Sequence, residues 1–326
     1  MKNSVFDILL APWITGVLST SIRLKVFSVL SNQELTAEEI AEKCMTITRY
    51  QKILLDSCVS LGLLEFENNK YRNSHFSRIY FVEGERFYVG DFLKLVNDES
   101  LQWFQLPDII RGKEQAVKDQ PYIRSDYQTF IMAMNCLGVL GEADALKEII
   151  DLSGRKKMVD VGGGSGLYSV ALCQKYPELH STILDLKDTL SVTQEILASR
   201  PERSRIDLRE GNFLKDSIGE NLDIVLLSDI IYEETKAKIV LRNAWDSLIQ
   251  KGVLIIRGYY ADPVESRSLF GALFAVKHLV DNAQNKIVSK SRLEEIILDI
   301  GFNIDMIKPL TEHSFVFVCK KSGPDN

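Results

Sequence analysis

Val159-Asp160-Val161-Gly162-Gly163-Gly164-Ser165-Gly166 breaks an apolar run into glycines, and Leu167-Tyr168-Ser169-Val170-Ala171-Leu172 restarts it. The pattern reads as strand, glycine turn, helix. Glycines let a ligand approach where a Cβ would collide, and they tolerate positive φ. The N-terminus of the following helix aims unpaired N–H groups at whatever sits over the turn. A second apolar run, Thr182-Ile183-Leu184, ends in Asp185. A carboxylate at the end of the second strand of such a unit takes ribose hydroxyls. Together these residues predict a site for an adenosine-containing cofactor at the start of the chain's second half.

Outward from that site, the second half alternates strand and helix as a doubly wound sheet does. Strands are predicted at 157–161, 181–185, 205–208, 223–228, 253–257 and 314–319. Leu293-Glu294-Glu295-Ile296-Ile297-Leu298-Asp299-Ile300 reads as a helix stopped by Gly301. Phe302 to Ile307 and Ser314 to Val318 then follow as an antiparallel pair. The fold class is therefore α/β, with a mostly parallel sheet and an antiparallel last strand.

The first half reads as helical with one small β element. Residues 5–30 carry an apolar face. Thr36-Ala37-Glu38-Glu39 has the capping-box pattern, a Thr N-cap with Glu three residues on. A second helix starts at about Thr48. Gly62 to Arg72 reads as strand, Asn68-Asn69 turn, strand, hence a hairpin. Helix, helix, hairpin in this order is a winged helix-turn-helix, whose usual reading is DNA binding. The second helix carries only Arg49 and Lys52 as cations in the stretch that would enter a groove. A dimerisation and lid scaffold is the better reading.

The chain has 326 residues, 45% hydrophobic, and a formal charge of −6. That length allows two domains with real cores, and an acidic balance offers no general footprint for nucleic acid. Cys44, Cys58, Cys136, Cys173 and Cys319 are scattered without CxxC spacing, which predicts reduced thiols in a cytoplasmic protein. The N-terminus lacks the pattern of a signal peptide. No apolar run reaches the roughly 20 residues that span a bilayer, so no membrane partner is expected. The four histidines are dispersed, and no metal is expected.

With these motifs in order, the chain resembles the S-adenosylmethionine-dependent small-molecule O-methyltransferases with an N-terminal winged-helix dimerisation domain, caffeate-type and bacterial polyketide- and phenazine-type enzymes among them. Leu35-Thr36-Ala37-Glu38-Glu39-Ile40-Ala41 and Leu61-Gly62-Leu63-Leu64-Glu65 look like its winged-helix motifs. Val159 to Gly166 looks like its glycine loop, and Leu184-Asp185-Leu186 its ribose site. The late antiparallel strand is what separates this family from the nicotinamide-binding fold. The resemblance implies a dimerisation domain over 1–100, connecting helices over 101–150 and a Rossmann-like methyltransferase domain with a seven-stranded sheet over 151–321. It implies S-adenosyl-L-methionine as cofactor, held by Gly162, Gly164, Asp185, Asn212, Phe213 and Ser228. Asn212 and Phe213 would flank adenine. It implies a homodimer through the N-terminal domain and a small-molecule acceptor, with Phe130, Met134, Phe274 and Asn282 lining the acceptor pocket.

The catalytic apparatus departs from the family. A His-Asp-Trp motif commonly follows the fourth strand of the methyltransferase domain and supplies the base. Aligned by the strand, this chain has Tyr232-Glu233-Glu234 there; aligned by the following helix, the position falls on Ile230. The two acids that flank the family's base are replaced by Arg257 and Ile287. His278 matches a substrate-facing position of the family and is the candidate base or substrate anchor. Tyr232 is the second candidate, able to hydrogen-bond the acceptor although a phenol pKa near 10 suits a base poorly. Glu233 is a further possible base. The expected activity is methylation of a hydroxyl on a small aromatic or heteroaromatic metabolite. The alternatives are C- or N-methylation on the same scaffold, cofactor binding without methylation, and a winged-helix regulator.

Overall fold

A computed structural model describes residues 5–113, 127–260, 269–281 and 288–322. The chain divides into two compact units. Residues up to Ser100 and the segment ending at Leu140 form the first, and Leu101 onward with everything from Gly141 forms the second.

The first unit is helical with one hairpin. Its helices include Val5–Arg23, Ala37–Lys43, Thr48–Ser60, Gly90–Asp98 and Tyr127–Leu137. The capping box forms: Glu39 N–H donates to Thr36 Oγ1 at 3.3 Å and Thr36 N–H to Glu39 Oε2 at 2.7 Å. Strands β1 (Leu64–Glu67) and β2 (Lys70–Asn73) pair antiparallel. Asn68 (φ 51°) and Asn69 (φ 62°) turn between them in the left-handed region, which a two-residue hairpin requires and asparagine tolerates. Phe27, Ile40, Leu55, Leu64 and Tyr71 close the core.

By length and composition alone, the helices Val5–Arg23 and Tyr127–Ile149 could cross a bilayer. Neither is an unbroken apolar run; Pro12, Thr15 and Gly16 interrupt the first. In the first of these helices only Ser19, Ser21 and Ile22 are buried, while Phe6, Ile8, Leu9 and Trp13 are exposed.

The second unit is a seven-stranded sheet in the order β5-β4-β3-β6-β7-β9-β8. The strands are β3 (Lys157–Val161), β4 (His180–Asp185), β5 (Ile206–Glu210), β6 (Leu222–Ser228), β7 (Leu248–Gly258), β8 (Phe302–Pro309) and β9 (Phe315–Lys321). Strands β5, β4, β3, β6 and β7 run parallel, and β9 pairs antiparallel with both β7 and β8. Alternate side chains supply two cores, one per face. Val159, Val161, Val225, Leu227 and Ile256 pack with Leu241, Leu293 and Ile297. Met158, Ile224, Leu226 and Ile255 pack with Leu172, Leu190 and Leu197. A sheet covered by helices on both faces explains why these strands read as nearly unbroken apolar runs. Gly301 ends the preceding helix with φ 113°, as the sequence predicts. In such a sheet, ligands bind beyond the carboxyl ends of the strands, where the order reverses. Here that place is the end of β3, between β4 and β6.

Candidate active site

The loop after β3 is folded tightly. Gly162 (φ 66°) and Gly164 (φ 53°) lie in the left-handed region. A Cβ on Gly162 would stand 2.8 Å from Ile230 Cγ2, and one on Gly163 would stand 2.8 Å from Asp160 Cγ. Beneath the loop, Asp160 is buried, accepts a bond from Ser169 Oγ at 2.7 Å and leaves Oδ1 without a partner. Burial pushes its carboxyl up to about 6.

Asp185 closes the other side of the cradle. Its Oδ2 accepts from Gly164 N–H at 3.0 Å and its Oδ1 from Leu186 N–H at 2.7 Å. A carboxylate has about four acceptor sites, so these two bonds leave room for a pair of ribose hydroxyls. Burial raises its pKa, while the two backbone N–H groups oppose that shift. The residues present therefore fit a nucleoside. Asp185→Ala is expected to weaken S-adenosylmethionine binding by about 2–3 kcal/mol, the scale of hydrogen bonds to a charged group. Calorimetry on a folded variant checks this, and unchanged affinity would contradict the assignment.

Of the other expected cofactor residues, Phe213 and Ser228 stand close by. Phe213 Cε1 is 3.6 Å from where a Gly162 Cβ would be, and Ser228 is buried at the end of β6. Asn212, expected to flank adenine, is held within its own turn. Its Oδ1 accepts from Leu214 N–H at 3.0 Å, which makes it a turn residue. Its side-chain amide is what it can offer a ligand.

Beyond β6 and β7 lies a wall of aromatic rings. Tyr232 meets His278 at 4.6 Å and Phe274 at 5.5 Å between centroids, and Phe274 meets His278 edge-on at 4.5 Å. Three expected site residues, Tyr232, Phe274 and His278, are thus brought together, the last two one turn apart on the Leu269–Asp281 helix. Tyr259 continues the wall, 5.1 Å from Phe274, and Tyr260 lies 6.0 Å from Tyr232. His313 stacks on Phe270 at 5.1 Å. The Tyr232 hydroxyl, the Tyr260 hydroxyl and His278 Nε2 are all buried without a hydrogen-bond partner. Buried polar groups are nearly always paired, so three orphans on one wall mark a surface made for a ligand. Desolvation lowers the pKa of His278.

An ion cluster adjoins this wall. Arg257, 3% exposed, pairs with Glu142 and lies 3.5 Å from Asp229 Oδ1. Glu142 also accepts from Tyr259 Oη at 3.2 Å and Ser314 Oγ at 2.7 Å. The Arg257 guanidinium stacks over the Tyr259 ring at 4.3 Å. Glu142, from the segment before β3, carries no local signal in the sequence. Tyr259 and Tyr260 were findable, since they follow β7 directly at the ligand-bearing edge. Phe130 and Met134 lie one turn apart on the Tyr127–Leu137 helix of the first unit, and Asn282 and Ile287 fall outside the described residues. All five cysteines are buried and free. No group of three metal-ligating side chains occurs among the described residues.

Sheet order, glycine cradle and terminal carboxylate define a nucleoside-binding methyltransferase architecture, and comparison with known proteins identifies the family. Residues 116–303 match the O-methyltransferase domain and residues 6–83 the O-methyltransferase dimerisation domain. The chain belongs to the O-methyltransferase family, and it is an S-adenosylmethionine-dependent methyltransferase. It is 28% identical over 283 residues to the 3-hydroxy-5-methyl-1-naphthoate 3-O-methyltransferase of Streptomyces sahachiroi, covering 84% of this chain and 82% of the relative. It is 28% identical to the acetylserotonin O-methyltransferase of Gallus gallus over 78% of this chain and 80% of the relative. The human N-acetylserotonin methyltransferase solved with its cofactor superposes with a TM-score of 0.86 at 21% identity, over 98% of this chain and 97% of that one. More distant relatives include an N,N-dimethyltransferase and an L-tyrosine C(3)-methyltransferase, from Streptomyces rimosus and Streptomyces lavendulae.

Proposed function

We propose that the chain methylates a hydroxyl of a small aromatic or heteroaromatic metabolite. The observation that carries this reading is the orphaned, buried Nε2 of His278 on a wall of aromatic rings. The bound cofactor supplies an electrophilic methyl group. Displacement at such a methyl is in line, so the protein's main task is positioning. Gly162, Gly164, Asp185, Phe213 and Ser228 hold the cofactor, with Asn212 at the turn beside them. Phe274 packs against the acceptor ring. Tyr232 orients the acceptor oxygen through its free hydroxyl. His278, kept neutral by desolvation, would take the phenolic proton of the acceptor. Methylation of nitrogen or carbon is the second reading, favoured by the missing His-Asp-Trp motif and by the N- and C-methylating relatives. The test is incubation with methyl-labelled S-adenosylmethionine and matched phenols, anilines and anisoles. Label in the phenol products supports the reading, and label in the anilines alone would transfer the claim to nitrogen.

The active form in this reading is a cytoplasmic homodimer. Phe6, Ile8, Leu9 and Trp13 lie exposed on the first helix, inside the segment that matches the dimerisation domain. Covering them is expected to bury more than about 2,000 Å², the obligate range. Light scattering at micromolar concentration should give twice the chain mass, and a monomer would contradict it.

A further inference from the structure

We propose that this site selects an uncharged aromatic acceptor and disfavours aromatic carboxylates, because the buried guanidinium among its described residues is outnumbered by two carboxylates and the free groups on its aromatic wall are uncharged. The proposal rests on the acceptor-site reading above. Arg257 is the residue that a substrate carboxylate would seek in such a pocket. Its Nη2 is bound to Glu142 and its Nη1 faces Asp229, which leaves only Nε without a partner. One positive and two negative charges sit together, 3%, 7% and 24% exposed at their side chains. The excess is negative, in surroundings where screening is weak.

That field reaches the aromatic wall. Tyr259 lies under the guanidinium at 4.3 Å and meets the tilted ring of Phe274 at 5.1 Å. Tyr260, 2% exposed, feels the Asp229 carboxylate. Burial pushes Asp229 up to about 6, so it is charged at pH 8. Besides Arg257 Nε and Asp229 Oδ1, the groups left to bind a substrate are the hydroxyls of Tyr232 and Tyr260 and Nε2 of His278. Both hydroxyls are uncharged donors, and burial raises the Tyr260 pKa further. On the His278 helix, Lys277 is bonded to Asp281 at 2.8 and 3.0 Å, which spends its charge locally. The described groups are therefore equipped for a neutral ring with a hydroxyl and a carbonyl or ether oxygen, and poorly equipped for an anion.

The experiment compares 6-hydroxy-2-naphthoate with its methyl ester, two probes of the same ring that differ chiefly in charge. Binding to the full-length protein in the presence of S-adenosylhomocysteine is measured by calorimetry at pH 8. The ester is expected to bind at least roughly tenfold more tightly. Asp229→Asn removes one negative charge, and asparagine suits the left-handed backbone of that position (φ 63°). The variant should narrow the ratio about threefold or more by strengthening acid binding. Equal or tighter binding of the acid by the wild type, or a ratio unmoved in a folded Asp229→Asn variant, would overturn the proposal. Binding is read whether or not the probes are methylated, so a failure of methylation counts against the O-methylation reading and not against this one.

Discussion

Replacing His278 with alanine is expected to lower turnover about 10²–10⁴-fold, the usual contribution of a positioned general base, with cofactor affinity unchanged. The imidazole sits among Tyr232 and Phe274 with Nε2 unpaired. Desolvation is the largest influence on it and lowers its pKa from the usual value near 6.5. The sign for activity follows. The base works when neutral, so kcat/KM should be full above the depressed pKa and fall as pH drops through it. The acid limb should inflect below about 6.5 in the wild type and disappear in His278→Ala. Tyr232→Phe should cost much less. If turnover instead collapses in Tyr232→Phe and survives in His278→Ala, the strand alignment identified the acting residue. If neither variant matters, the acceptor arrives already ionised or reacts through nitrogen or carbon.

Glu142→Ala is expected to destabilise the protein by about 3–5 kcal/mol, the cost of removing one partner from a buried ion pair. Arg257 would keep only the longer contact to Asp229, and Tyr259 and Ser314 would lose the oxygens they donate to. Glu142→Gln keeps an acceptor and the side-chain shape, so it should cost less. Urea unfolding of both variants checks this. A loss below about 1 kcal/mol for the alanine variant would mean that Arg257 finds another partner, contrary to the account given for the cluster.

Sequence legibility followed the range of the interactions. The glycine loop, the carboxylate after β4, the Thr36–Glu39 capping box and the Gly301 stop are set by residues within a few positions of one another. Each appears in the structure where the sequence put it. The antiparallel closing pair was legible from two short apolar runs after that glycine. Strand ends were less so: β7 begins at Leu248, before the 253–257 that the sequence predicts. Glu142 was invisible, because its partners Arg257 and Ser314 lie 115 and 172 residues away. The bond from Leu214 N–H to Asn212 Oδ1 was not legible either, being a detail of turn geometry. Arg257 could be seen only as a departure from the family; that its charge is consumed by Glu142 required the fold.

The most direct test is the position of the transferred methyl. The full-length protein would be incubated with 13C-methyl S-adenosylmethionine and a neutral naphthol, and the product examined by carbon NMR. A labelled methyl ether on the ring oxygen is expected in the wild type, with its near-complete loss in His278→Ala. A methyl found on ring carbon, or undiminished ether formation in the variant, would contradict it.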